Sequence, residues 1–200
     1  MKPSSRVLVL AVAGLAFVNT ATAHEQAGVA GGLATGFLHP FTGLDHLIAM
    51  VAVGLWGAQL GAPALWILPI TFPLVMAFGG VLGVLGVPLP VPEIVIACSA
   101  LVLGGAVAMR LRVPLVAASV LVAVFAIFHG HAHGRELPSA SDPLAYGIGF
   151  VVATGLLHLL GISIGTLSRW PTGERAIQGL GAVIAALGGY FLLSGLGMAR

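Results

Sequence analysis

The stretch HPFTGLDHLIAMVAVGLW, residues 39–56, puts two histidines and an aspartate at the head of an apolar run. Residues 47–56 carry no charge at all, so the run reads as a helix surrounded by other helices or by lipid. On a continuous helix His39 and His46 would lie two turns apart on one face, with Asp45 on the adjoining face, but Pro40 and Gly43 argue against continuity. Upstream, AGVAGGLATGFLHP at 27–40 is apolar yet too short to cross a bilayer alone. Joined to the next segment, residues 27–60 would make a helix of about 50 Å at 1.5 Å per residue, longer than a hydrocarbon core of about 30 Å. Two readings follow: a broken or re-entrant helix with its join at Pro40, or an interfacial helix followed by an ordinary span. The first requires that the freed backbone be buried in protein or line a polar cavity.

The rest of the chain supports a membrane setting. Of 200 residues, 58% are hydrophobic and only 7% charged, with a mean hydropathy of +1.09, against roughly 25% charged in a soluble domain. The net charge of +2 is scattered, with one lysine and no basic run, which excludes a nucleic-acid partner. The single cysteine, Cys98, excludes an intrachain disulfide and a thiolate metal site. At the N-terminus, MKPSSR, the short apolar VLVLAVAGLAFV and Ala21-Thr22-Ala23 form the three parts of a cleavable secretory signal, residues 1–23. The alternative is an uncleaved anchor, but the apolar part is well short of the roughly 20 residues that span a bilayer. Cleavage would leave a single domain, 24–200, beginning at His24.

Pro, Gly and Arg clusters divide the remaining apolar sequence into about six candidate spans, near 43–60, 65–86, 93–109, 113–130, 143–167 and 175–197. The expected class is an all-α polytopic bundle, since an open sheet would leave backbone groups unpaired in lipid and barrel alternation is missing. With the processed N-terminus outside, Arg110, Arg112, Arg169 and Arg175 fall on cytoplasmic turns, as the positive-inside rule asks. The expected location is therefore the cytoplasmic membrane. Glycines at four-residue spacing, such as Gly79 with Gly83 and Gly161 with Gly165, suit close helix packing.

Three segments could carry chemistry. In the first, His39, Asp45 and His46 offer imidazole and carboxylate, a set suited to borderline divalent ions; alternatively Asp45 caps the helix start and His39 is interfacial. An unpaired Asp in a span costs roughly 2.5–3.5 kcal/mol on the insertion scale, so it asks for a partner or a role. The second segment, FHGHAHG at 128–134, places His129 and His133 one helical turn apart, or His129, His131 and His133 on one side if extended, with Glu136 following. In the third, GFVVATGLLHLLGISIG at 149–165, His158 sits mid-span, either as a helix-to-helix hydrogen bonder or as a ligand along a path, with Thr154 one turn before it. His24, if it becomes the first residue, adds an amine and an imidazole.

These three ordered segments, behind a cleavable signal, resemble the HupE/UreJ family of bacterial nickel or cobalt permeases, over essentially the whole mature chain. The resemblance makes the membrane a bacterial inner membrane and implies import of Ni²⁺ or Co²⁺ as transported substrate, with no permanently bound cofactor. It associates His39, Asp45 and His46 of the first motif with metal transport, together with His129, His131 and His133 of the second. In this reading His129, His131 and His133, with Glu136 or His24, would capture the ion at the outer surface, His39, Asp45 and His46 would form the entry site, and His158 would be a deeper, transient ligand. A homo-oligomer stays open, and the imported metal would indirectly supply hydrogenase or urease maturation. No G-x-x-x-x-G-K-[ST] loop occurs, so the membrane potential or a partner protein would supply the energy. The rival readings are a membrane metalloenzyme, a periplasm-facing metal-binding accessory or sensor, and a haem carrier with His46 and His158 as axial ligands.

Overall fold

The computed structural model describes residues 28–137 and 142–198, and the expected signal and His24 lie outside them. The described residues form α-helices and two short 3₁₀ turns, with no strand among them. In chain order the helices are α1 (Gly28–Leu38), α2 (Leu44–Leu60), α3 (Ala64–Val84), α4 (Pro92–Ala108), α5 (Leu115–Arg135), α6 (Pro143–Gly165) and α7 (Pro171–Gly195). Helices α3, α5, α6 and α7 are long and apolar enough to cross a membrane. The bent pair of α1 and α2 makes a fifth such span if counted together, while α4 is a shorter apolar helix.

The break expected at Pro40 is present. A 3₁₀ turn, His39–Phe41, ends α1, and Gly43 in extended backbone precedes α2, so the two helices meet at 80°. Thr42 closes the corner, donating both its N–H and its hydroxyl to the His39 carbonyl at 3.0 and 2.7 Å. Helix α1 runs along the first part of α6, with Gly36 and Gly149 in close backbone contact across the pair, while Val29, Leu33 and Leu38 stay exposed on its other side.

Helix α2 is the centre of the bundle, buried continuously from Ile48 to Gly57 and packed against α3, α4 and α6. A helix apolar on every side is stable only in such a position or in lipid. Around it, α3 pairs with α5 and α4 pairs with α7. Arg110 and Arg112 after α4, Arg169 after α6 and Arg175 in the start of α7 lie at the end opposite the 39–46 corner. There Arg110 pairs with Glu174, and Trp56, Gln59 and Gln178 donate to the carbonyls of Leu111, Val107 and Ala108 at the end of α4. These bonds satisfy backbone acceptors that a helix terminus leaves open.

The histidine segment differs from its expected position after a span ending near 130. Helix α5 continues to Arg135 and carries all three histidines inside it, buried. The reason lies in the alternating glycines. A methyl group on Gly130 would overlap the Met76 carbonyl, and one on Gly134 the Gly80 carbonyl, so α5 lies directly on the α3 backbone and stays helical there.

Candidate metal-ion path

Helix α5 turns its glycines toward α3, and it presents His129 and His133, one turn apart, toward the α1–α2 corner. The outermost group is His39 of the corner, His133 of α5 and Glu136 at the α5 terminus. One donor atom from each lies within 4.8 Å of the others. His39 Nε2 is 3.3 Å, and His133 Nδ1 3.7 Å, from the same carboxylate oxygen of Glu136. Donors bonded at about 2.0–2.1 Å to one ion sit no more than about 4.2 Å apart, so a shift below about 1 Å would bring these three onto a shared cation. Glu136 is the exposed member, and the His133 imidazole lowers its pKa, overcoming the effect of partial burial. It is therefore an anion at neutral pH, facing the ions of the surrounding water.

Inward from this triad the aromatic rings form a continuous line. The His133 ring lies 4.8 Å from that of His39 and 4.3 Å from that of His46, which in turn lies 5.0 Å from His129. The Phe72 ring of α3 stands 5.3 Å from His129 on one side and 5.3 Å from His158 of α6 on the other. Phe150 closes the line at the His133 level, 4.4 Å away.

Three of these imidazoles share one arrangement. His46 Nδ1 lies 2.9 Å from Asp45 Oδ1, His129 Nδ1 2.9 Å from the Phe125 carbonyl and His158 Nδ1 3.2 Å from the Pro69 carbonyl. A carbonyl or carboxylate oxygen accepts, so each Nδ1 donates and each Nε2 keeps its lone pair. All three Nε2 atoms are buried without a hydrogen-bond partner. Buried polar atoms are normally paired, and three orphans of the same kind along one line mark a place prepared for something that accepts electron pairs. The Asp45 oxygen also accepts the His46 backbone N–H at 3.0 Å. Asp45 is not the cap of α2, which is Gly43 without a side-chain cap bond; it lies in the first turn, and one carboxylate oxygen there both takes an N–H and orients the imidazole.

His131 points elsewhere. Its Nε2 donates to the Val87 carbonyl at 2.7 Å, tying α5 to the α3–α4 connection, and it makes no ring contact with the other histidines.

The family model described as HupE / UreJ protein matches residues 10–191 of this chain. The chain belongs to the HupE/UreJ family. Protein HupE of Rhizobium leguminosarum bv. viciae is 43% identical over 182 residues, covering 91% of this chain and 95% of that protein. No solved structure matches.

In this HupE/UreJ chain the structure brings together His39, Asp45, His46, His129, His133, Glu136 and His158 and leaves His131 apart. Sequence reasoning missed Phe72 and Phe150, which carry no signal in an apolar helix. It also missed the role of Gly130 and Gly134, whose alternation with histidine is the pattern of a helix with one packing face and one chemical face.

Proposed function

We propose that this HupE/UreJ membrane protein is a secondary permease that admits Ni²⁺ or Co²⁺ as cargo rather than transforming a substrate. The observation that carries this reading is the set of three Nδ1-tethered imidazoles with free Nε2 lone pairs, aligned behind an anionic triad. Neutral imidazoles suit nickel, cobalt, copper and zinc better than magnesium or calcium, which prefer oxygen donors. Anchoring one ring nitrogen fixes the direction in which the other offers its lone pair.

In this reading Glu136, His39 and His133 take the ion from water, and His24 adds to capture once the signal of residues 1–23 is removed. His46, with the Asp45 carboxylate behind it, and His129 then replace part of the hydration shell, and His158 receives the ion deeper in the bundle. A few exchangeable ligands at each step keep binding strong enough for arrival and weak enough for departure. Among the described residues the carboxylates on the line are Glu136 and Asp45, so no closed cage of fixed charge traps the cation. A divalent ion moving inward gains about 2.3 kcal/mol per charge for each 100 mV of potential.

The topology that goes with this function has six spans, with α2 and α4, about 26 Å each at 1.5 Å per residue, added to the four longer helices. The arginine-bearing end faces the cytoplasm, and the 39–46 corner and the processed N-terminus face the periplasm across the inner membrane. Imported metal would serve hydrogenase or urease maturation, by one copy or by a homo-oligomer.

The test is radiolabelled nickel uptake, with cobalt as competitor, in cells lacking other nickel importers and expressing the wild-type chain or His46→Ala. Uptake that needs His46 and falls with added cobalt is expected. Absence of uptake by well-expressed, inserted wild-type chain would overturn the permease reading.

A further inference from the structure

The three tethered imidazoles obtain their acceptors in different ways. His46 uses the side chain beside it in sequence, and His129 uses the carbonyl one turn back on its own helix. His158 instead reaches from α6 to a carbonyl on α3, that of Pro69. Such a carbonyl is free only because of what stands four residues further along. In an unbroken helix the N–H of residue 73 would donate to the carbonyl of residue 69. Residue 73 is Pro73, inside α3, and proline has no N–H to give.

The surroundings of His158 point to a ligand. Its Nε2 is buried and unpartnered, and so is the hydroxyl of Thr154, one turn away on the same face of α6. A threonine inside a helix ordinarily satisfies its hydroxyl on a carbonyl three or four residues back, as Thr35 does here with Gly31. Thr154 makes no such bond and is completely buried. Phe72, whose ring contacts both His129 and His158, stands between this pair and the outer group.

We propose that His158 Nε2 and the Thr154 hydroxyl form an inner station for a divalent cation, and that Pro73 is its positioning residue, withholding an N–H so that the Pro69 carbonyl orients His158. The inference rests on the permease reading and extends it to a second stop beyond Phe72. An imidazole that used its own helix for the tether, as His129 does, would lie along α6. The cross-helix tether turns it toward α3 and Phe72, where an ion passing that ring arrives.

The test uses the full chain, labelled with ¹⁵N-histidine in bilayer nanodiscs and titrated with Zn²⁺, a d¹⁰ ion that suits imidazole. It is paired with nickel-uptake kinetics on the same variants. In the wild type, Zn²⁺ is expected to move the Nε2 resonances of His46 and His129 and also that of His158. In Pro73→Ala the outer responses persist and the His158 response is lost. Nickel uptake at saturation then falls about tenfold, the size of effect seen when the partner of a metal-binding imidazole is removed, with an unchanged half-saturating concentration. His158→Gln gives the same loss, and the double variant loses no more than either alone. Alanine is favoured over proline inside a helix, so a misfolded Pro73→Ala is not the expected cause. An unmoved His158 resonance beside responsive outer imidazoles overturns the inner station and leaves the permease reading standing. A wild-type response in Pro73→Ala overturns the role of Pro73. Silence from every imidazole would overturn the permease reading itself.

Discussion

Two interfaces in this bundle are built by the same packing and differ in chemistry. Helices α4 and α7 meet through Gly104, Gly181 and Gly188, where an added methyl would overlap facing backbone, as α3 and α5 meet through Gly130 and Gly134. The one buried polar side chain on α4, Ser99, is satisfied on its own helix by the Ile96 carbonyl. The space among α2, α3, α5 and α6 instead holds unpartnered atoms of His46, His129, His133, Thr154, His158 and Tyr146. Close glycine packing is therefore scaffolding common to both, and unpartnered polar atoms concentrate in one, with His131 Nδ1 and Gln59 Oε1 the others among the described residues. A buried polar atom without a partner costs about 1–3 kcal/mol, so their concentration in one place calls for a function that stability does not supply.

That contrast can be broken most severely at its centre. His46→Ala and Asp45→Ala are each expected to abolish nickel uptake at unchanged protein level, read by radiolabel accumulation and immunoblot. Full uptake in both would separate the orphaned lone pairs from transport. Next comes a paired comparison of glycines. Gly130→Ala and Gly181→Ala each overpack an interface, at a cost of about 1–3 kcal/mol, and both should lower the thermal midpoint of the purified chain. Only Gly130→Ala should reduce uptake per folded molecule, because only it displaces His129 and His133.

Smaller effects sharpen the picture at the outer end. His133→Ala, removing a member of the Glu136 triad, should raise the nickel concentration for half-maximal uptake several-fold, within the roughly 10-fold expected for losing about 1.4 kcal/mol of binding, while preserving the maximal rate. His131→Ala should leave that concentration unchanged and cost about 1 kcal/mol of stability through the lost bond to Val87. Equal uptake defects at 131 and 133 would return His131 to the capture group. Smallest of all, Ser99→Ala should change neither uptake nor the thermal midpoint by more than the equivalent of about 1 kcal/mol.

Much of this was legible in the sequence for identifiable reasons. Few charges and long apolar runs fix an all-helical membrane protein, because lipid leaves the backbone no other partner than itself. Pro40 and Gly43 announce the corner between α1 and α2, since one lacks an N–H and the other accepts extended backbone readily. His39, Asp45, His46, His129, His133, Glu136 and His158 stand out because ionisable groups are costly in an apolar chain and are retained where they serve. The HupE/UreJ family, too, could be read from the three motifs and their order.

What only the tertiary structure decided is which of those groups meet. Helical periodicity states that His129 and His133 share a face and that His131 does not follow them, but in helices apolar all round it does not state which neighbour each face meets. The contacts of Gly130 and Gly134 with α3 fix that rotation, sending His131 to Val87 and its two neighbours to the corner. Likewise, no spacing along the chain links His158 to Pro69, 89 residues away. That link exists because α3 and α6 lie side by side and because Pro73 leaves one carbonyl without its helical donor. Sequence sets what each residue is able to offer, and the packing of helices, determined by close backbone contacts summed over the whole bundle, sets what it is offered to.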